Sequence, residues 1–329
     1  MFRKFSTALL VALSLCIPAG AHAATTLKIG TLAPADSVWG REFKKWASDV
    51  SADSGGALEL DFQWNAQAGD EVLMVQKIRS GQLDGAAITA VGLAQTGVTD
   101  VLLFQMPGLF PNWGKLDTAR NAMKAELDSK FQQKGFTILG WGDIGAAKTM
   151  SVGFEVHRPA DLQGKNCYFL AGDPIGPTIF AAIGGINPKQ VTVTEILPSL
   201  ANGSITVLTV PPLAAEQLQW ASRVTHISPV TIAFGIGAIV VSSSRVQSLP
   251  QNLRDILAAR GREATERLTK SVRNLDAQAF ARMKSSKTVY EPTDAEKAEW
   301  RDLFSRVQKE LRGTVFTPAV FDKVVQLAK

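Results

Sequence analysis

The strongest constraint on the fold is an alternation of strand and helix patterns in the first part of the chain. Strand patterns cover residues 26–31, 58–64 and 83–89, and amphipathic helix patterns cover residues 37–52 and 70–79 between them. This β-α-β-α-β order favours a largely parallel sheet with right-handed crossovers. The first part of the chain is therefore predicted to be an α/β unit.

The same order returns later in the chain. Strand patterns over 166–170, 190–193 and 205–210 are separated by helix patterns over 174–183 and 195–201. Two α/β units in one chain predict two lobes that face a cleft. The loops and helix N-termini at the strand ends of such sheets are a usual place for a ligand.

A long helix is predicted after the two α/β units, over residues 248–284. A helix of about 35 residues would be about 50 Å long, which exceeds the width of one lobe, so we expect it to bridge both lobes. The predicted fold class is therefore α/β and two-lobed, with a mixed, mostly parallel sheet flanked by helices in each lobe. Residues 24–148 plus 234–270 are assigned to lobe I, and residues 149–233 plus 271–329 are assigned to lobe II.

The N-terminus has the features of a secretory signal peptide. Arg3 and Lys4 precede an apolar run over residues 6–17, and Ala21 and Ala23 supply small residues before a cleavage site. The run is shorter than the roughly 20 residues that span a bilayer. We expect residues 1–23 to be removed and the mature protein to be located in the periplasm.

Composition argues against several function classes. Without Arg3 and Lys4 the chain keeps 33 basic and 30 acidic residues, with no dense basic run, so nucleic acid is not expected as a partner. The mature chain has two histidines, His157 and His226, and one cysteine, Cys167. Sequence motifs of hydrolases, zinc enzymes and nucleotide-binding loops are absent. We predict no catalytic residue, no metal and no cofactor.

An ordered set of segments resembles one family of binding proteins. The segments are residues 69–71, 78–86, 104–110, 139–142 and 161–165. They resemble landmarks of the DctP-type solute-binding subunits of TRAP (tripartite ATP-independent periplasmic) transporters. The resemblance implies a two-lobed trap without enzymatic activity, with strands exchanged between lobes. It also implies a small-molecule ligand and a pair of membrane permease subunits as partners, and a homodimer is left open.

The chain departs from this family at three positions that usually carry polar anchors. Tyr168 and Ala147 stand where arginines are usual, with Lys148 beside Ala147, and Val210 stands where an asparagine is usual. Tyrosine and alanine cannot form the bidentate pair by which arginine holds a carboxylate. We therefore predict a neutral or largely apolar ligand.

Two alternatives to this function are kept open. One is a monocarboxylate or 2-oxo acid held by Lys148 and Tyr168. The other is an exported sensor or lipid-shuttle protein that has no permease of its own.

The predicted ligand-binding residues lie at strand ends, at helix starts or within the family landmarks. Core packing is the alternative role for each aromatic residue and for the methionine among them. The predicted set is Trp39, Gln67, Thr89, Met106, Trp141, Lys148, Tyr168, Asp173, Val210 and Phe234.

Overall fold

The structure, a computed structural model, describes residues 24–329, so the predicted signal peptide lies outside the described residues. The strands of the described range are β1 (Thr25–Thr31), β2 (Leu58–Gln63), β3 (Gly85–Thr89), β4 (Phe136–Ser151), β5 (Asn166–Leu170), β6 (Asn187–Val191), β7 (Val207–Val210), β8 (His226–Ser242) and β9 (Thr288–Val289). The α-helices are α1 (Val38–Asp53), α2 (Glu71–Arg79), α3 (Ala90–Ala94), α4 (Trp113–Gln133), α5 (Ile175–Ile183), α6 (Ile196–Ala201), α7 (Pro212–Gln217), α8 (Ser243–Gln247), α9 (Gln251–Ser286), α10 (Asp294–Leu311) and α11 (Pro318–Ala328).

The strands form one continuous sheet in the order β2-β1-β3-β8-β4-β7-β5-β6, with β9 paired to β8. Strand β1 is parallel to β2 and β3, and β5 is parallel to β6 and β7. We call β1–β3 with α1–α3 the first lobe, and β5–β7 with α5–α7 the second lobe. The predicted α/β class, with two units and mixed strand directions, is confirmed.

Two long antiparallel strands, β4 and β8, connect the lobes at the centre of the sheet. Strand β3 of the first lobe pairs with β8, and β7 of the second lobe pairs with β4. The β4–β8 register shifts four times, including once on each side of Lys148. Such irregularities bend a strand and change the direction in which its side chains point.

Local sequence signals explain most element boundaries. The Ser37 and Asp70 side chains accept hydrogen bonds from the backbone at the starts of α1 and α2. The spacing of Thr293 and Glu296 in the sequence predicts a capping box at the start of α10. It is present: Glu296 Oε2 accepts from Thr293 N at 2.7 Å, and Thr293 Oγ1 accepts from Glu296 N at 3.3 Å. Helix α4 and the full length of the single strands β4 and β8 are not among the elements predicted from the sequence.

The predicted long helix is α9, which has 36 residues and packs against β4, α1 and α7. It therefore contacts both lobes and the strand that connects them. Gly140 of β4 permits close approach, because a Cβ atom there would lie 2.1 Å from Thr265 Oγ1 of α9. The buried Asp276 carboxylate of α9 accepts hydrogen bonds from Ala146 N at 2.8 Å and Leu213 N at 2.9 Å. The predicted boundary between lobe I and lobe II, at residues 148 and 149, stays a prediction.

Every helix among residues 24–329 is too short or too polar to cross a membrane.

Candidate functional site

A cavity of about 340 Å³ lies between the two lobes. The first lobe supplies the segment that follows β1, aromatic residues of α1 and the end of β3. Trp39 and Phe43 come from α1, where their spacing of four residues places them on one face, and Thr89 ends β3. The Trp39 ring is fixed by a 3.4 Å hydrogen bond from Nε1 to the backbone oxygen of Asp143.

The second lobe supplies the opposite wall. Its residues are Tyr168 from β5, Asp173 before α5, the Ile179 and Phe180 side chains of α5, and Val210 at the end of β7. Helix α5 has the sequence IGPTIFAAI, and only Ile175 among its residues is fully buried. A helix that is apolar except for Thr178, yet only partly covered, is explained by an apolar space beside it.

The connecting strands and α10 complete the cavity. Ala147 and Thr149 of β4 line it, as do Phe234 of β8 and the Trp300 and Phe304 rings of α10. Phe234 is held in place by Trp113, with 4.4 Å between ring centroids. The walls are therefore built mainly from aromatic and aliphatic side chains of both lobes, the connecting strands and α10.

Six of the ten predicted ligand-binding residues line this cavity: Trp39, Thr89, Tyr168, Asp173, Val210 and Phe234. Their contact with a ligand stays a prediction. Ala147, the third position that departs from the family pattern, also lines the cavity.

The structure does not bring Gln67, Met106 or Trp141 to the cavity. Gln67 is exposed in the turn after β2, and Met106 is buried in the core of the protein, 1% exposed. Trp141 of β4 packs against Phe131 of α4, with 6.0 Å between ring centroids. Because side chains alternate along a strand, Trp141 lies on the face opposite to that of its neighbour Gly142, which lines the cavity.

Lys148 also points away from the cavity, although both of its neighbours in β4 line it. Its ammonium group donates to Pro229 O at 2.8 Å and to Thr231 Oγ1 at 3.0 Å, and it lies 4.3 Å from the Phe280 ring centroid. Burial lowers the pKa of Lys148 to about 8. Its ammonium group is therefore bound within the protein and does not line the cavity.

Among the described residues, no lysine, arginine or histidine lines the cavity. The three carboxyl groups that do are already bound by the protein. Glu71 accepts hydrogen bonds from Thr89 N and Oγ1, both at 2.6 Å, and from Gly92 N at 3.0 Å. Burial raises the pKa of Glu71, and these hydrogen bonds oppose the rise.

Asp143 is fully buried and is bound by two arginines. Its carboxylate accepts from Arg120 Nη1 at 2.7 Å and from Arg273 Nε at 2.6 Å, and both arginines also bond Asp117. The two guanidinium groups are thus paired within the protein. They provide no free cation for a ligand in the cavity.

Tyr168 supplies a neutral polar group on the cavity wall. Burial raises the pKa of its hydroxyl far above the ordinary range, and the nearby carboxyls Glu71 and Asp173 add to the rise. The hydroxyl therefore stays protonated at physiological pH. It can donate one hydrogen bond and accept another, on an otherwise apolar ring.

Several lining residues were missed from the sequence. The predicted set does not include the lining residues Glu71, Phe43, Phe180, Trp300 and Phe304. The predominantly apolar composition of α5 is a usable signal for Phe180. Nothing local distinguishes Trp300 and Phe304 from ordinary residues on the buried face of a helix.

Comparison with known proteins gives one family across most of the chain. The model of the family described as bacterial extracellular solute-binding protein, family 7 (DctP) matches residues 29–313. The C4-dicarboxylate-binding periplasmic protein DctP of Rhodobacter capsulatus is 22% identical over 309 residues, which cover 93% of this chain and 91% of that protein. An uncharacterized protein of Sinorhizobium fredii, y4mM, is 26% identical over 56% of this chain, and the match spans only 34% of that protein's length.

Solved structures share the fold at low identity. A TRAP periplasmic solute-binding protein from Ralstonia eutropha H16, with bound (S)-2-acetolactate, has a TM-score of 0.85 at 20% identity and covers 92% of this chain and 98% of its own. The sugar acid binding protein DctPAm from Advenella mimigardefordensis, in complex with galactonate, has a TM-score of 0.86 at 17% identity and covers 93% of this chain and 98% of its own. These similarities confirm the two-lobed architecture with a bridging long helix.

Proposed function

Because the chain belongs to bacterial extracellular solute-binding protein family 7, we propose that its interlobe cavity captures a neutral, largely apolar small molecule for a TRAP transporter. The family consists of binding proteins, so the role is capture and delivery rather than catalysis. The proposed partners are the ligand and the membrane permease subunits to which it is delivered. A homodimer and the absence of nucleic-acid binding stay predictions.

The ligand class rests on the charge of the cavity wall. No described lining residue carries a positive charge, and the three lining carboxyls are bound internally. A carboxylate transferred into this space would lose its hydration without gaining a counterion. Such a burial costs several kcal/mol, by order of magnitude.

Relatives with the same fold bind acids, as the acetolactate and galactonate complexes illustrate. The proposal for this chain differs because Tyr168, Ala147 and Val210 line the cavity at the positions predicted to lack the family's polar anchors. The alternative of a monocarboxylate held by Lys148 and Tyr168 is disfavoured, because Lys148 points to Pro229 and Thr231 instead.

A titration with matched probes tests the ligand class. Isothermal titration calorimetry of the mature protein at pH 7.5 would compare octanamide with octanoate, which have the same chain length but differ in charge, and would include succinate. We expect octanamide to bind at least about tenfold more tightly than octanoate, with no detectable binding of succinate. Tight succinate binding, or equal affinity for the two eight-carbon probes, would contradict the proposal.

Delivery to a permease requires export, and we propose that residues 1–23 direct the chain to the periplasm and are then removed. N-terminal sequencing of the protein recovered from the periplasm should begin at Ala24. Retention of Met1 would contradict cleavage.

A further inference from the structure

The start of α5 faces the cavity and is capped by the carboxylate of Asp173. Asp173 Oδ1 accepts from Ile175 N at 2.9 Å, and Oδ2 accepts from Gly176 N at 3.2 Å. The neighbouring positions Pro174 and Pro177 have no N–H group. Asp173 therefore binds both donors that the first turn of this helix could direct toward a ligand.

Gly176 makes this close approach possible. A Cβ atom at Gly176 would lie 3.1 Å from Asp173 Oδ2 and 3.0 Å from Phe169 Cβ, so a larger residue would push the carboxylate away from the helix. The carboxylate is held at the cavity wall by the backbone itself, since Asp173, Ile175 and Gly176 all line the cavity.

We propose that Asp173 determines the charge selectivity of this cavity. Its carboxylate occupies the position at the start of α5 that an anionic group of a ligand would otherwise take. Backbone N–H groups at a helix N-terminus are a general binding position for carboxylates. Here the protein's own carboxyl group occupies that position, near Tyr168. Burial raises the pKa of Asp173, and the hydrogen bonds from Ile175 and Gly176 oppose the rise. An incoming carboxylate finds no free donor at the start of α5, and it is also repelled when Asp173 is ionised. This inference rests on the proposed neutral ligand class and names the residue that enforces it.

Substitution of Asp173 tests the inference with the same probe pair. Asp173→Ala frees the Ile175 and Gly176 donors and removes the charge. We expect the affinity for octanoate to rise about tenfold or more, while that for octanamide changes less than about threefold. Asp173→Asn removes the charge but keeps one acceptor, so we expect a smaller rise for octanoate. Thermal denaturation verifies that each variant is folded.

Asp161 offers a matched control in the same part of the chain. Its carboxylate also accepts two backbone hydrogen bonds, from His157 N at 2.7 Å and Arg158 N at 2.9 Å, but it does not line the cavity. Asp161→Ala should leave the octanamide-to-octanoate ratio unchanged.

Two outcomes would overturn the inference, and they are distinguishable. In the first, the unmodified protein prefers octanamide, and both Asp173 variants keep the same octanamide-to-octanoate affinity ratio. Asp173 then does not determine the charge selectivity, and the neutral ligand class stands. If the unmodified protein binds both probes equally, the ligand class fails and the inference fails with it.

Discussion

The side-chain amide of Gln95 donates a hydrogen bond to the backbone oxygen of Gly172, with 3.2 Å between Nε2 and O. Gln95 follows α3 in the first lobe, and Gly172 lies between β5 and α5 in the second, next to the cavity-lining Asp173. A second bond between the lobes runs from Val38 N to Gln217 Oε1 at 3.2 Å. Both bonds require the lobes to be close together, so they favour the arrangement that encloses a ligand.

Gln95→Ala should accelerate ligand release. A net hydrogen bond contributes about 0.5–1.5 kcal/mol, so losing one that exists only in the closed arrangement should raise the dissociation rate about two- to tenfold. Stopped-flow dissociation of octanamide measures the rate. Gln133→Ala is the control, because the exposed Gln133 side chain bonds only Ser129 within α4. Equal rates for the two variants would show that the Gln95 bond does not hold the lobes together.

Lys148 should make stability rise with pH in the alkaline range. Its pKa is about 8 in the folded protein, lowered from 10.5 mainly by burial. Between these values the unfolded chain keeps the proton that the native protein has released, so the free energy of unfolding increases as pH rises. The full contribution of the shift is on the order of 3 kcal/mol.

Urea denaturation between pH 7 and 10.5 measures this effect. As pH rises through this window, the free energy of unfolding of the unmodified protein should increase relative to that of Lys148→Met. Lys270→Met is the control, since Lys270 is an exposed lysine of the same helix, α9. A constant difference for Lys148→Met would contradict a depressed lysine pKa.

The thiol of Cys167 should be unreactive in the folded protein. It is 1% exposed on β5, and burial raises its pKa to about 12, so almost no thiolate is present at pH 8. Ellman's reagent at pH 8 should modify less than about a tenth of the protein in the time that complete reaction takes in 6 M guanidinium chloride. Fast reaction of the native protein would show that β5 opens readily.

Local patterns predicted many of the elements, but not α4, the full length of β4 and β8, or which residues face the cavity. The capping box of Thr293 and Glu296 and the strand over residues 166–170 depend on neighbouring residues, and the structure confirms both. The orientation of Lys148 depends on register shifts between β4 and β8, which lie about 80 residues apart in the chain. Trp300 and Phe304 reach the cavity only because α10 packs against α5, a contact that no local pattern specifies.

We expect the protein to enclose a neutral, apolar ligand, and native mass spectrometry of the protein purified from its own periplasm can identify that ligand. The spectrum should show a protein that begins at Ala24 and carries one retained small molecule, whose mass and fragmentation identify a compound without a carboxylate. A retained dicarboxylate or sugar acid would rule out a neutral ligand.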